Sequence, residues 1–178
     1  PAALIATYGW RDYEDALLEL KDIVEKNGFK VIAAAAFPAE HSLDPTIGAR
    51  RPNKADLKTI AEYGVELNRR IKKSDTFDSF DISLPGNTPY RKYGKNMLFP
   101  KADVNSCTEC KACAKVCPAG AISLKDPKKT DKDKCIGCLK CVRICRQNAR
   151  SVNSLKMKMV TSRLSKVCQS DKKADIFL

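Results

Sequence analysis

Two runs of cysteines constrain this 178-residue chain more than any other feature of its sequence. Each run has the spacing Cys-x2-Cys-x2-Cys-x3-Cys, and each cysteine of the first run has a counterpart 28 residues later. The region is therefore an internal duplication. The first run contains Cys107, Cys110, Cys113 and Cys117, and the second contains Cys135, Cys138, Cys141 and Cys145.

The duplication continues past the cysteines. Gly120 follows the first run at the position that Asn148 occupies after the second. Because glycine and asparagine tolerate positive φ better than other residues, the repeat predicts a left-handed turn at each position, after a short helix. The segments that follow, 123–124 and 151–152, are expected to pair as short strands.

The spacing suits one kind of metal centre. A cubane iron–sulfur cluster needs four thiolates around a compact core, and Cys-x2-Cys-x2-Cys wraps a loop around it while a helical turn directs the fourth cysteine away. Zinc also binds four cysteines, but usually as two separated Cys-x2-Cys pairs. The sequence therefore predicts two [4Fe–4S] clusters, with zinc and a [3Fe–4S] cluster as alternatives.

Residues 97–152 resemble a bacterial dicluster ferredoxin domain, in which the fourth cysteine of each run ligates the other cluster. Arg146 stands where the ferredoxin pattern often has proline, and we expect its positive charge to favour the reduced state of cluster I. The resemblance implies that cluster I is held by Cys107, Cys110, Cys113 and Cys145, and cluster II by Cys135, Cys138, Cys141 and Cys117.

Charge divides the chain into two parts. Residues 1–76 contain 12 basic and 12 acidic residues, whereas residues 77–178 contain 21 and 9 and hold all nine cysteines. Proline and glycine punctuate residues 77–102, which are expected to form a connector. We expect the dicluster domain over 103–152 and a basic tail over 153–178. The tail is expected to be helical from Leu155 to Val167, with Cys168 as a buried free thiol.

Residues 1–76 have the pattern of an α/β layer. The apolar run Ala2–Thr7 is typical of a parallel strand buried on both faces, and Phe29–Phe37 predicts a second strand. Helical periodicity follows each strand, with Asp12 and Asn53 as the expected N-caps. The order β-α-β-α predicts a parallel sheet with right-handed crossovers. Since two strands leave both edges open, we expect these residues to be the C-terminal part of a longer domain, or another chain to complete the sheet.

The turn Thr7–Tyr13 and the elements after it resemble the C-terminal part of a flavodoxin-like domain. The resemblance implies that Tyr8, Gly9, Trp10 and Arg11 flank the isoalloxazine ring of FMN, at the carboxyl ends of the strands. His41, the only histidine, follows the second strand and is expected near the flavin edge or as a plain loop residue. FMN is a possible cofactor, although the phosphate-binding loop of flavodoxins is absent from this chain.

The expected fold class is α/β plus α+β: a partial flavodoxin-like sheet followed by a dicluster ferredoxin domain with short strands and helices. Together the parts resemble flavodoxin–ferredoxin fusion proteins, which implies a cytoplasmic electron carrier that relays single electrons between the clusters and FMN. The alternatives are the electron-input part of a flavin-dependent oxidoreductase and a zinc-type nucleic-acid-binding module. The basic charge predicts an acidic redox partner protein, and we expect neither membrane nor nucleic-acid binding.

Overall fold

The computed structural model describes residues 1–92, 94 and 98–178. These residues form two compact units: Pro1–Lys92 together with Val167–Leu178, and the described residues between them. Residues 77–92 of the expected connector belong to the first unit, and its residues 93 and 95–97 lie outside the described residues. In chain order the elements are β1 (Ala2–Tyr8), α1 (Ala16–Lys26), β2 (Val31–Pro38), α2 (Lys54–Lys73), β3 (Lys101–Ala102), α3 (Ala112–Lys115), α4 (Lys140–Arg143), β4 (Arg150–Ser151), α5 (Ser154–Val167) and β5 (Asp175–Phe177).

The first unit is built on a three-stranded sheet with β2 in the centre. β1 pairs with β2 in parallel, which confirms the predicted parallel β-α-β arrangement. On the other side, β5 pairs with β2 antiparallel, with Ile176 opposite Ala35. The expectation of only two strands from this chain was therefore wrong, because the tail supplies a third. A three-residue strand carries too little periodicity to be recognised before its partner is known.

All eight residues of β2 are buried. Its four consecutive alanines let backbone and helices approach closely on both faces. One face packs with Leu4 of β1 and Leu17 of α1. On the other face, Phe37 meets the ring of Tyr63 from α2 edge to face, at 6.0 Å between ring centres.

β1 was predicted to be buried on both faces, and this is wrong. Leu4 is buried, but Ile5 is 55% exposed, and Ala3 and Thr7 are exposed beside it. In the described residues β1 has a single strand partner, β2, so it is an edge strand. The contacts of α2 are with Ala33, Ala35 and Phe37 of the central strand, which leaves the same face of β1 uncovered.

The two predicted helix caps have different outcomes. Asn53 caps α2 as predicted, because its side chain accepts the N–H groups of Ala55 and Asp56. Asp12 does not cap α1, which begins four residues later at Ala16. Instead Asp12 accepts the N–H of Glu14, whose φ of +48° interrupts the helical path.

The second unit has little regular structure besides four short elements and α5. Gly120 and Asn148 have φ of +58° and +50°, which confirms the two predicted left-handed turns. β4 does pair antiparallel, but with β3, and residues 123–124 are not in a strand. The predicted pairing of 123–124 with 151–152 was therefore wrong. The helix expected in the tail is confirmed as α5, and in the described ranges no helix is long and apolar enough to cross a membrane.

Candidate metal centres

The backbone of the second unit repeats with the cysteines. Each run contains two left-handed residues between its first and third cysteines, and a third beyond its last cysteine. These residues are Glu109, Lys111 and Gly120 in the first run, and Gly137, Leu139 and Asn148 in the second, so each pair is separated by 28 residues. Left-handed residues reverse the chain sharply, which is how a short loop can direct several thiols toward one point.

Hydrogen bonds knit the two repeats reciprocally. The N–H of Asp103, just before the first run, donates to the carbonyl of Ala149 beyond the second at 2.7 Å. The N–H of Asp131, just before the second run, donates to Ala121 beyond the first at 2.8 Å. Each run therefore begins where the other ends, and this places the fourth cysteine of each run beside the first three of the other.

The short helices α3 and α4 position the third and fourth cysteines of each run. Cys113 lies within α3, and Cys117 follows the end of that helix. Cys141 and Cys145 occupy the same positions in and after α4. The x3 spacing thus separates the last two thiols by one helical turn.

Eight of the nine cysteines line two separate cavities. The first, of about 400 Å³, is also bordered by Arg146 and Arg150. The second is narrower, and the buried side chains of Ile122 and Leu139 contribute to its wall. Cys107, Cys110, Cys113 and Cys145 line the first cavity, and Cys117, Cys135, Cys138 and Cys141 line the second.

The two sets of thiols differ in exposure. Cys110 is exposed, whereas Cys141 is buried. Burial raises the pKa of the Cys141 thiol, while the nearby guanidinium of Arg150 acts to lower it through its charge and a hydrogen bond. The first cavity therefore has the more accessible thiols, and the second lies deeper.

Arg150 is the only buried arginine among the described residues, with 3% of its surface exposed. Its guanidinium donates to the hydroxyl of Thr130 at 2.8 Å, to the carbonyl of Pro100 at 3.4 Å and to the carbonyl of Pro127. The buried Nε–H has no acceptor among the described residues. An unused buried donor at the border of the first cavity fits an acceptor that this cavity would hold, such as the sulfur of a cluster.

The thiols do not converge as a mononuclear metal would require. In the described part of the chain, no group of three or more Cys, His, Asp and Glu side chains is arranged to hold a single metal ion. Four thiols spread around a cavity fit a multinuclear core better than a tetrahedral zinc ion, whose sulfur ligands lie about 2.3 Å from the metal.

Comparison with known protein families agrees with this geometry. A family model described as a 4Fe-4S dicluster domain matches residues 106–150. These residues form a 4Fe-4S dicluster domain. Two [4Fe–4S] clusters and electron transfer through them are implied by this domain and its cysteine pattern. No flavodoxin family matches the chain, and no curated protein matches it significantly.

The residues assigned to FMN lie together at the carboxyl end of β1. Trp10 is buried, and the guanidinium of Arg51 lies 4.7 Å from the centre of its ring. Gly9 packs against His41, since a Cβ built on Gly9 would be 3.0 Å from the imidazole Cδ2. Tyr8 contacts the ring of Tyr13, with 5.4 Å between ring centres. Arg11 forms an ion pair with Glu14.

Two features of this turn bear on the FMN prediction, which stays a prediction. His41 does lie beside the turn, as its place after β2 predicts, and burial lowers the pKa of its imidazole. One face of Trp10, however, is already covered by Arg51, so the indole is a part of the core of this unit. Gly9, in turn, is covered by the imidazole of His41.

Sequence reasoning missed Arg150. The sequence pattern drew attention to Arg146, which is exposed at the border of the first cavity. The buried arginine lies four residues later. The repeat contained the signal, because the position equivalent to Arg150 is Ile122, which is also buried. A charge in one half at a position that is apolar in the other marks a departure from the symmetry of the duplication.

Proposed function

We propose that this protein relays single electrons through two [4Fe–4S] clusters whose ligands are exchanged between the repeats. The observation that carries the proposal is the division of eight thiols between two cavities, each with three cysteines from one run and the fourth from the other. Each cluster, when bound, takes up and releases one electron at a time. The chain holds the thiols, excludes water and sets the local charge.

The access of electrons follows from the exposure of the thiols. Cys110, among the ligands of cluster I, is exposed, and Cys141, among those of cluster II, is buried. Cluster I is therefore the site at which electrons enter or leave the dicluster domain. Cluster II exchanges electrons chiefly with cluster I.

An acidic redox protein is the proposed partner of this domain. Exposed lysines surround the ring of Phe99, with the ammonium groups of Lys132 and Lys156 at 5.0 and 5.8 Å from its centre. Lys101 and Lys129 line the cavities on either side of this ring. We call these five residues the Phe99 patch. Basic charge around a partly apolar centre suits transient docking of an acidic surface, in which charge sets the association rate.

The proposed relay also includes FMN, which would exchange electrons with the clusters. The support is the parallel β-α-β-α order, the turn at the carboxyl end of β1 and the open edge of that strand. A further strand from another segment or chain could pair with β1 and cover the exposed Ile5. The phosphate-binding part of the flavin site would come from that segment.

The visible spectrum of anaerobically purified protein, before and after dithionite, tests this function. A broad brown absorbance that bleaches on reduction is expected from the clusters, and structured yellow bands beneath it would show bound FMN. The broad band alone would remove FMN from the proposal for this chain and leave the cluster relay. A protein that holds zinc, and no iron after anaerobic reconstitution, would contradict the relay itself.

A further inference from the structure

Arg150 is a buried cation between the two thiol-lined cavities. It borders the first cavity together with Cys107, Cys110, Cys113 and Cys145. Its guanidinium also donates to the carbonyl of Pro100 and the hydroxyl of Thr130, two residues that line the second cavity. No other side chain described in the structure combines a buried positive charge with contacts at both places.

Burial of an arginine needs compensation, because a charge removed from water is costly unless it is hydrogen-bonded or paired. The acceptors here are neutral: the carbonyls of Pro100, Pro127 and Lys129 and the hydroxyl of Thr130. No carboxylate forms an ion pair with Arg150 among the described residues. These hydrogen bonds hold the guanidinium of Arg150 in place, and no carboxylate among the described residues neutralises its positive charge.

The equivalent position of the first repeat has no charge. Ile122 occupies the equivalent place in the first repeat, is 5% exposed and packs in the wall of the second cavity. A buried apolar side chain therefore fills the equivalent position of the first repeat, although Ile122 lies outside the strands and Arg150 lies in β4. Arg150 therefore adds a positive charge at a position that is apolar in the other repeat.

We propose that Arg150 raises the reduction potential of both clusters. A reduced cluster carries one more negative charge than an oxidised one, so a fixed cation nearby stabilises the reduced state. The effect is large in a water-excluded site, where charges are poorly screened. The unused Nε–H donor strengthens it, because hydrogen bonds to cluster sulfurs also raise the potential.

This inference rests on the proposed function, since it requires that both clusters bind. The experiment compares the reduction potentials of wild-type protein, Arg150→Gln, Arg150→Lys and Arg163→Gln, measured by redox titration of anaerobically reconstituted protein followed by EPR. Iron and sulfide content are determined for each. Arg163 is exposed on α5 of the same unit, so its glutamine variant is a matched control for the loss of one positive charge.

We expect Arg150→Gln to lower the reduction potential of at least one cluster by about 59 mV or more. For a one-electron couple this is a tenfold or larger decrease in the equilibrium constant for reduction. Arg150→Lys should shift much less, and Arg163→Gln hardly at all. Paramagnetically shifted NMR signals of the Cys141 β-protons should identify the more affected cluster. Retention of iron by the lysine variant but not by the glutamine variant would also support a requirement for charge.

Equal potentials in Arg150→Gln and Arg163→Gln would overturn the inference and leave the proposed relay intact. Loss of iron from both Arg150 variants would overturn it too, because the guanidinium would then serve to fix the loop that contains Pro127 and Thr130. Failure of the wild-type protein to bind iron would contradict the proposed function instead.

Discussion

The buried carboxylate of Asp15 accepts hydrogen bonds from both the backbone N–H and the side-chain amide of Asn87, at 2.8 and 3.1 Å. It also accepts the N–H of Arg91 at 2.7 Å. The residue before α1 is thus joined to a segment more than 70 positions later in the chain. The Asp15 carboxylate is used to hold this later segment, which explains why its side chain does not cap α1.

This carboxylate should make the first unit sensitive to acid. The hydrogen bonds from Arg91 and Asn87 lower the pKa of Asp15 below its ordinary value of 3.8. Its contribution to stability is therefore present above about pH 4 and is lost as the pH falls through the lowered pKa. We expect Asp15→Asn to melt several degrees lower at pH 7, with a smaller difference from wild type below pH 3. Thermal unfolding followed by circular dichroism measures both, and an equal difference at every pH would contradict the assignment.

Gly48 packs against the indole of Trp10 and should not tolerate a side chain. It has a φ of +62°, and a Cβ at this position would lie 2.7 Å from Cε3 of the indole. We expect Gly48→Ala to destabilise the protein by about 1–3 kcal/mol and to change the fluorescence of Trp10, the only tryptophan.

Gly64 provides the matched control for Gly48. It lies exposed within α2, and a Cβ there meets no atom within 4 Å. Gly64→Ala should therefore stabilise the protein by about 0.5–1 kcal/mol, since alanine favours helices over glycine. Denaturant unfolding of the two variants should give opposite signs, and destabilisation of the same size in both would show that the contact with Trp10 is unimportant.

Arg146 gives a prediction for cluster I. Its side chain is exposed at the border of the first cavity, where the ferredoxin pattern often has proline. Because its positive charge favours the reduced state, Arg146→Pro should lower the potential of cluster I. Solvent screens an exposed charge, so the shift should be smaller than that of Arg150→Gln. Protein-film voltammetry measures it, and equal potentials for wild type and variant would refute the prediction.

The Phe99 patch gives a prediction for partner docking. Lys132→Glu combined with Lys156→Glu should slow electron transfer to an acidic flavodoxin several-fold at low ionic strength, with the difference shrinking as salt is added. Stopped-flow absorbance measures the second-order rate. Lys26→Glu combined with Lys54→Glu makes the same change in net charge on the first unit. If both pairs slow the reaction equally, total charge rather than this patch controls docking.

The cysteine repeat made the second unit largely predictable. A spacing of 28 residues predicted the two cluster-binding loops and the two left-handed turns at Gly120 and Asn148, because these depend on local backbone chemistry. Local reasoning could not determine that β4 pairs with residues 101–102. That pairing forms when each repeat meets the beginning of the other, and no local signal in Lys101 or Ala102 specifies it.

In the first unit, the order of strands and helices could be predicted from the sequence, but the exposure of each strand could not. Apolar runs identified β1 and β2, yet their composition could not show which strand lies at the edge, since Ala2–Thr7 is as apolar as a buried strand. The start of α1 was misplaced because Asp12 and Asp15 are both good caps by residue type. A distant partner, Asn87, determines what Asp15 does.

The short strand β5 has a topological consequence. The chain leaves the first unit after Lys92 and rejoins it at Val167, and Ile176 then pairs beside Ala35. The dicluster domain is thus an insertion in the other unit rather than an appendage at its end. It is joined to that unit by two covalent connections, so a break in the backbone at one of them leaves the other intact.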